Sequence, residues 1–244
     1  QQRNMYNNEG FVEGSDTILD RIAYTTDESM KNWTTDNQLA YKFDTANTSH
    51  NLLFGIEYQE TDSTATYYDA GADGTPNLDL SNPDFSQIST DILPLDTFSR
   101  YDDIEQSQLG LYVQDEMRWQ DWTVVAGLRH DKFKSILDRT DTSKGVIPSE
   151  KMIDNDASET SGRLAAIYNF DNGLSPFLSY SQSFQPVVGS NFITNEPFEP
   201  TTADQLEAGI KYLSPDRATK GTFAVFDIAQ KNVVVSDYVK YTDQ

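Results

Sequence analysis

Six stretches of this chain, residues 110–119, 122–130, 161–170, 174–184, 204–213 and 220–231, alternate apolar with polar side chains, and the connections between them are unequal in length. A period of two places successive side chains on opposite faces of an extended strand, so each stretch reads as a strand with one apolar and one polar side. Residues 120–121, 171–173 and 214–217 are tight turns, whereas 139–160 and 185–202 read as long polar loops. Short turns at one end and long loops at the other are characteristic of barrels that span a membrane. The expected fold class is therefore all-β: an antiparallel, up-and-down transmembrane β-barrel.

Composition narrows the alternatives. Of the 244 residues, 37% are hydrophobic, enough for one all-β domain. The longest apolar runs, Val124 to Ala126 and Val233 to Val235, fall far short of the roughly 20 residues a spanning helix needs. Barrel strands dilute their apolar content by alternation, so a low mean hydropathy is compatible with a membrane wall. The absence of cysteine rules out disulfides and thiolate metal sites within these residues. The net charge of -21, from 39 acidic against 18 basic residues, opposes nucleic-acid binding, which needs a basic footprint. It suits a solvated acidic surface, or a vestibule that attracts cations. The chain begins Gln1, Gln2, Arg3, without methionine or an apolar leader, and is expected to be processed or an excerpt.

Upstream, residues 1–7 read as a strand tail and 8–17 as a loop. Residues 18–43 read as a long extended stretch, 44–49 as a turn and 51–66 as a strand. Residues 67–103, rich in Asp, Asn, Pro, Gly and Thr, form the longest irregular segment, of a length that is usually functional or disordered. Leu109, Leu111, Val113, Met117 and Trp119 share one face of a strand whose apolar side Asp115 interrupts near its short-turn end. Trp119 and Trp122 flank the following turn, where an interfacial aromatic girdle would lie. The Asn172-Gly173 pair suits the positive φ angles of a hairpin. Ser179, Ser181 and Ser183 share one face, and Glu207 and Lys211 share another, as expected for a wet interior. The faces of 220–231 are ambiguous from sequence, and the stretch to Gln244 reads as a further strand.

Several short patterns together resemble TonB-dependent siderophore receptors, most closely the ferrichrome (hydroxamate) type. They are Leu111 to Glu116, Gly127 to Asp131, Phe170 to Phe177, Ser179 to Pro186, Phe198 to Pro200, Gln205 to Tyr212, and Ala224 with Phe226. Their order and spacing match across residues 106–235. The resemblance implies a bacterial outer-membrane location, a 22-stranded barrel, a globular N-terminal plug and a TonB box. By this reading the chain contributes an incomplete wall of about nine or ten strands, and residues 1–244 are one partial barrel domain without plug or C-terminal strands. Implied partners are a ferric siderophore, outer-membrane lipid and, through the missing N-terminal region, the TonB system. No resident cofactor is expected, the ferric siderophore being cargo.

No catalytic constellation stands out, and no enzyme is expected. His50 and His130 lack partners at metal-ligand spacing. Asp69 to Gly74 has the opening of a calcium loop, but Gly71 and Leu80 stand where ligands are required. Asn32-Trp33-Thr34 and Asn47-Thr48-Ser49 match a glycan acceptor pattern that arises freely by chance. In the receptors this chain resembles, aromatic side chains form an external cup for the ferric siderophore, and the motif match implies Phe184 for that role. Tyr67, Tyr68, Phe98 and Tyr101, flanking the long irregular segment, are candidates by location. Aromatic rings give rigid contact area with a polar tip. Two other readings remain open at this point: a receptor for a glycan or cobalamin, and a soluble acidic all-β carbohydrate-binding module.

Overall fold

The computed structural model describes residues 2–69, 75–87, 98–141, 149–191, 194 and 196–235. Its strands are β1 (Gln2–Phe11), β2 (Ile18–Thr45), β3 (Thr48–Asp69), β4 (Leu78–Asp79), β5 (Phe98–Trp119), β6 (Trp122–Asp141), β7 (Ser149–Tyr168), β8 (Leu174–Gln185), β9 (Thr201–Leu213) and β10 (Lys220–Lys231). One turn of 3-10 helix occupies Phe85–Gln87. The ten strands form one sheet in the order β1-β2-β3-β5-β6-β7-β8-β9-β10, with β4 paired to β2. Each strand thus lies beside its sequence neighbour, save where β4 intervenes, and β1–β2, β2–β4, β7–β8, β8–β9 and β9–β10 pair antiparallel.

The short turns have a common device. Ala46 (φ 50°), Gln120 (φ 52°), Gly173 (φ 86°) and Arg217 (φ 60°) each sit in the left-handed region. At 170–174 the loop has three residues, closed by Phe170 N–H donating to the Leu174 carbonyl at 2.9 Å and Gly173 N–H donating to the Phe170 carbonyl at 3.0 Å. Only Gly173 in that loop takes a positive φ, so the turn differs from the two-residue Asn-Gly hairpin that the pair suggests. A side chain at 173 would also meet the Leu213 carbonyl.

Register shows what each face carries. Residues directly opposite in an antiparallel pair share a face. Leu164 faces Tyr180, which faces Leu206; Ala166 faces Leu178, which faces Ala208, which faces Val225. These rows are continuous across adjacent strands, yet Leu164 is 56%, Leu178 54%, Leu206 52% and Val225 58% exposed. On the other face Arg163 opposes Ser181 and Ser181 opposes Gln205; Ser179 opposes Glu207. The register also explains β10. Phe223 and Val225 join the apolar face, while Phe226 and Ile228 share the side of Glu207 and Gln205, so this strand is apolar on both sides.

Several strands run beyond their expected limits. β6 continues to Asp141 and β7 starts at Ser149, so much of 139–160, expected to be a loop, is strand. β3 reaches Asp69 and β5 begins at Phe98, trimming the irregular segment 67–103 from both ends. The reason is physical. A tilted strand crosses the hydrocarbon in about 9–11 residues, and the 20-residue β6 and β7 are about twice that. Past the apolar zone the polarity rule reverses: in β6 Lys132 and Lys134 are exposed, while Asp131, Phe133, Ser135 and Leu137 are buried. The calcium-like loop at 70–74, the connection 142–148 and the last expected strand beyond 235 lie outside the described residues.

Contacts divide the chain into two units. Within the first (Gln1–Trp33, Thr61–Gln106 and Ser135–Asp154), buried Arg21, Thr25, Thr26, Thr61, Thr75, Asp102 and Ser135 outnumber buried Ala23, Leu137 and Ile153. Thr75 Oγ1 there accepts from Ala23 N–H at 2.9 Å, and the Pro76 carbonyl accepts from Arg21 Nε at 2.9 Å. Within the second (Thr34–Glu60, Ser107–Lys134 and Asn155–Gln244), aromatic rings gather at the short turns. Trp122 meets Tyr168 edge-on at 5.0 Å, and Tyr168 meets Phe170 at 4.6 Å.

This two-sided sheet makes a direct prediction for the parent barrel refolded in lipid vesicles. Leu178→Arg on the apolar face should lower unfolding stability by about 2 kcal/mol, while Ser179→Arg, its polar-face neighbour, should change it by less than about 0.5 kcal/mol. Denaturant titration of both variants checks the contrast.

Candidate functional site

The chemically richest side chains lie on the polar face, in two clusters. The first, within the first unit, joins the long-loop ends of β3, β5 and β6. Arg139 (32% exposed) grips Asp102 (6% exposed) with Nε to Oδ1 at 2.6 Å and Nη2 to Oδ2 at 2.9 Å. Arg100 reaches the same carboxylate more loosely, Nε to Oδ2 at 3.4 Å, and its guanidinium lies 3.9 Å from the centre of the Tyr67 ring. The Asp102 hydrogen bonds raise the pKa of Arg139 against the opposing effect of burial. Tyr101, on the same strand end, has its phenol pKa raised by burial and then by the Asp103 and Asp138 charges.

The second cluster, within the second unit, centres on Arg129 of β6. Its Nη1 donates to Glu57 Oε2 at 2.7 Å, and its Nη2 and Nε donate to Asp131 at 2.7 and 2.8 Å. Gln108 Nε2 also donates to Asp131, at 2.8 Å. Gly110 leaves room for this group, because a Cβ there would displace the Arg129 guanidinium from its present place. Gly55 likewise makes room for the Tyr112 ring, whose hydroxyl donates to Asp36 at 2.9 Å and accepts from Gln38 at 2.8 Å. Beside the cluster lies a recess of about 530 Å³, lined among others by Gln114, Ser161, Arg163, Ser181 and Gln182. Such a face offers hydrogen-bonding groups, and among its described residues no nucleophile is paired with a base.

The sequence-chosen aromatics are distributed unequally. Tyr67 joins the Arg100 cluster. Tyr68 and Tyr101 are half-buried on β3 and β5. Phe98 opens β5, and its side chain lies outside the described residues. Phe184 is half-buried in β8 opposite Thr202, on the alternation of Leu178 and Tyr180 rather than of the serine row. Tyr67, Tyr68 and Tyr101 belong to the first unit and Phe184 to the second.

Sequence reasoning passed over both arginine clusters. The signal for the second was present: Arg129 and Asp131, two apart on one strand, must share a face. The first depends on Asp102 meeting Arg139 from another strand, which periodicity alone does not reveal. Both histidines gain partners as well. His130 Nδ1 lies 2.9 Å from Thr160 Oγ1. His50 Nδ1 lies 2.7 Å from Asp115 Oδ2, its Nε2 lies 2.9 Å from Thr45 Oγ1, and its ring stacks on Phe43 at 4.6 Å. Asp115, the residue that interrupts the apolar side of β5, is thus held by a histidine. Among the described residues no group of three or more His, Asp or Glu is arranged to hold a metal ion.

Asp131 is 4% exposed, so its charge depends on Arg129. Arg129→Gln should cost about 2–3 kcal/mol, and adding Asp131→Asn should cost less than the sum of the two single changes. A double-mutant cycle by denaturant unfolding of the parent barrel measures this coupling.

Comparison with known proteins agrees with this geometry. Residues 1–244 match the family model described as TonB dependent receptor-like, beta-barrel. The ferrioxamine B receptor of Salmonella typhimurium (strain LT2) is 33% identical over 225 residues, covering 91% of this chain and 30% of the relative. The ferrichrome outer membrane transporter/phage receptor of Escherichia coli K12 is 31% identical over 224 residues, covering 90% and 28%. This chain therefore spans about 30% of the first relative's length. Among solved structures, the ferric-catecholate import receptor Fiu of E. coli K12 superposes with a TM-score of 0.74 at 20% identity, covering 98% of this chain and 38% of that one. The ferripyoverdine receptor of Pseudomonas aeruginosa superposes at 0.72 and 18% identity, covering 98% and 30%. With a match over its whole length, this chain belongs to the TonB-dependent receptor-like β-barrel family of bacterial outer-membrane proteins.

Proposed function

We propose that the receptor to which this wall belongs captures a ferric siderophore outside the cell and carries it across the outer membrane. The observation that carries this reading is the pairing of two features: a sheet with an exposed apolar face and a hydrogen-bonded polar face, and a chain-long likeness to receptors named for ferrioxamine B and ferrichrome. The wall does no covalent chemistry in this scheme. Its apolar face contacts lipid, its polar face lines the transport path, and its long-loop end receives the ligand. The energy for release comes from the TonB system, acting through a part of the receptor outside these residues.

In this reading Tyr67 supplies ligand contact at the loop end, where Arg100 fixes its ring. Tyr68, Phe98, Tyr101 and Phe184 are the further aromatic contacts we assign to the cup. A rigid aromatic ring against a chelate adds apolar contact at small entropic cost.

Titration of the purified full-length receptor with ferrioxamine B-iron, ferrichrome, a glycan panel and cobalamin tests the proposal. It predicts saturable binding of at least one ferric complex and none of the glycans or cobalamin. Tyr67→Ala should weaken that binding about tenfold, near 1.4 kcal/mol. Binding confined to a glycan or to cobalamin would overturn the siderophore reading.

A further inference from the structure

The loop-end cluster holds one cation with coordination to spare, and we infer that Arg100 is an oxyanion-binding residue selecting ferric complexes that carry anionic oxygen. This inference deepens the proposed function and rests on it. Asp102 is nearly fully buried and sits between two guanidinium groups. Arg139 takes both of its oxygens in a forked pair, and Asp141 adds a second negative charge near Arg139. The charge of Arg139 is thereby matched. Arg100 is in a different position. Its Nε approaches Asp102 only at 3.4 Å and makes no hydrogen bond among the described residues, although that atom is buried.

The Arg100 guanidinium is nonetheless held in place. It lies 3.9 Å from the Tyr67 ring centre, which fixes its plane, and the Asp102 charge draws its Nε side toward the wall. A guanidinium stacked on a ring and pulled by one edge leaves its remaining N–H groups for another acceptor. The side chain is 32% exposed, so those donors are reachable. A planar fork of donors matches carboxylate and other paired oxygens, and the part-buried setting strengthens each bond. A purely structural brace has no need for the loose geometry at Arg100, since Arg139 already satisfies both oxygens of Asp102.

The location suits a ligand contact. Tyr67 is the third residue from the end of β3, Arg100 and Asp102 are among the first five of β5, and Arg139 is the third from the end of β6. β3, β5 and β6 are adjacent in the sheet. Their long-connection ends therefore bring an acceptor-seeking cation and an aromatic ring to one spot. In a chain of net charge -21, an arginine with donors to spare offers anionic oxygen a contact that the surrounding carboxylates do not, and so separates anionic from neutral ligands.

The test uses the full-length receptor and three probes: a ferric tris-catecholate, ferric citrate and neutral ferrichrome. Arg100→Gln should weaken the anionic complexes about tenfold and leave ferrichrome within about twofold. Arg100→Lys, which keeps the charge but loses the fork, should fall between the two. Equal weakening of all three probes, or no change in any, would overturn the inference while leaving siderophore import intact. If Arg100→Gln fails to fold, Arg100→Lys carries the test: loss of the fork should weaken the anionic probes more than ferrichrome, and equal loss overturns the inference. If the unaltered receptor binds ferrichrome but neither anionic complex, the inference also falls. Binding of no ferric complex at all would instead defeat the proposed function.

Discussion

Everything in this wall depends on one requirement: a peptide group in hydrocarbon must find its hydrogen-bond partner within the protein. Strand pairing meets it for β8, β9 and β10, where nearly every residue has an opposite number, and β7 joins them through Arg163 to Ile167. Once pairing is fixed, alternation leaves no freedom over where side chains go. One face receives Leu164, Leu178, Leu206 and Val225, and the other receives Arg163, Ser181, Gln205 and Glu207. A shift of one residue would exchange the two sets, so the hydrophobic pattern and the register enforce each other. Exposed leucines, a liability in water, are the expected surface in lipid.

The polar face has a different economy. Several of its charged and polar side chains are tied together, Arg129 to Glu57 and Asp131, Arg139 to Asp102, and Tyr112 to Asp36. Glycines at 55 and 110 supply the space in which those long side chains lie flat against the sheet. Arg129 and Tyr112 therefore stiffen the wall from within, whereas Arg100, among the described residues, keeps donors left over.

Much of the fold was legible in the sequence. The limits of β8 follow from alternation to within one residue, and β10 matches 220–231 although its faces did not separate. The outer parts of β6 and β7 were missed because their exposed faces carry Lys132, Lys134, Asp154 and Asp156, which read as loop when apolar residues are taken to mark strands. Lys134 and Asp156 in fact form an ion pair at 3.3 Å on the solvated side. The faces of β10 were ambiguous because Phe226 and Ile228 are apolar on the polar side, and only the register to Glu207 and Gln205 separates them. The site was less legible than the fold. Tyr67 could be chosen by location, but its neighbour Arg100 and their tie to Asp102 and Arg139 depend on strands far apart in sequence.

A soluble β-module would place Leu178 and Ile210 at its centre and turn Ser181 and Glu207 outward, yet Leu178 is largely exposed and Ser181 lines the polar recess. The most direct measurement follows from the absence of cysteine in these residues. Single cysteines placed at Leu178, Ser179, Tyr180 and Ser181 of the full receptor in lipid vesicles can each carry a spin label. Collision with lipid-soluble oxygen should be high at 178 and 180 and low at 179 and 181, with a water-soluble nickel chelate giving the opposite order. Equal accessibility at all four positions, or nickel contact strongest at 178 and 180, would contradict the account.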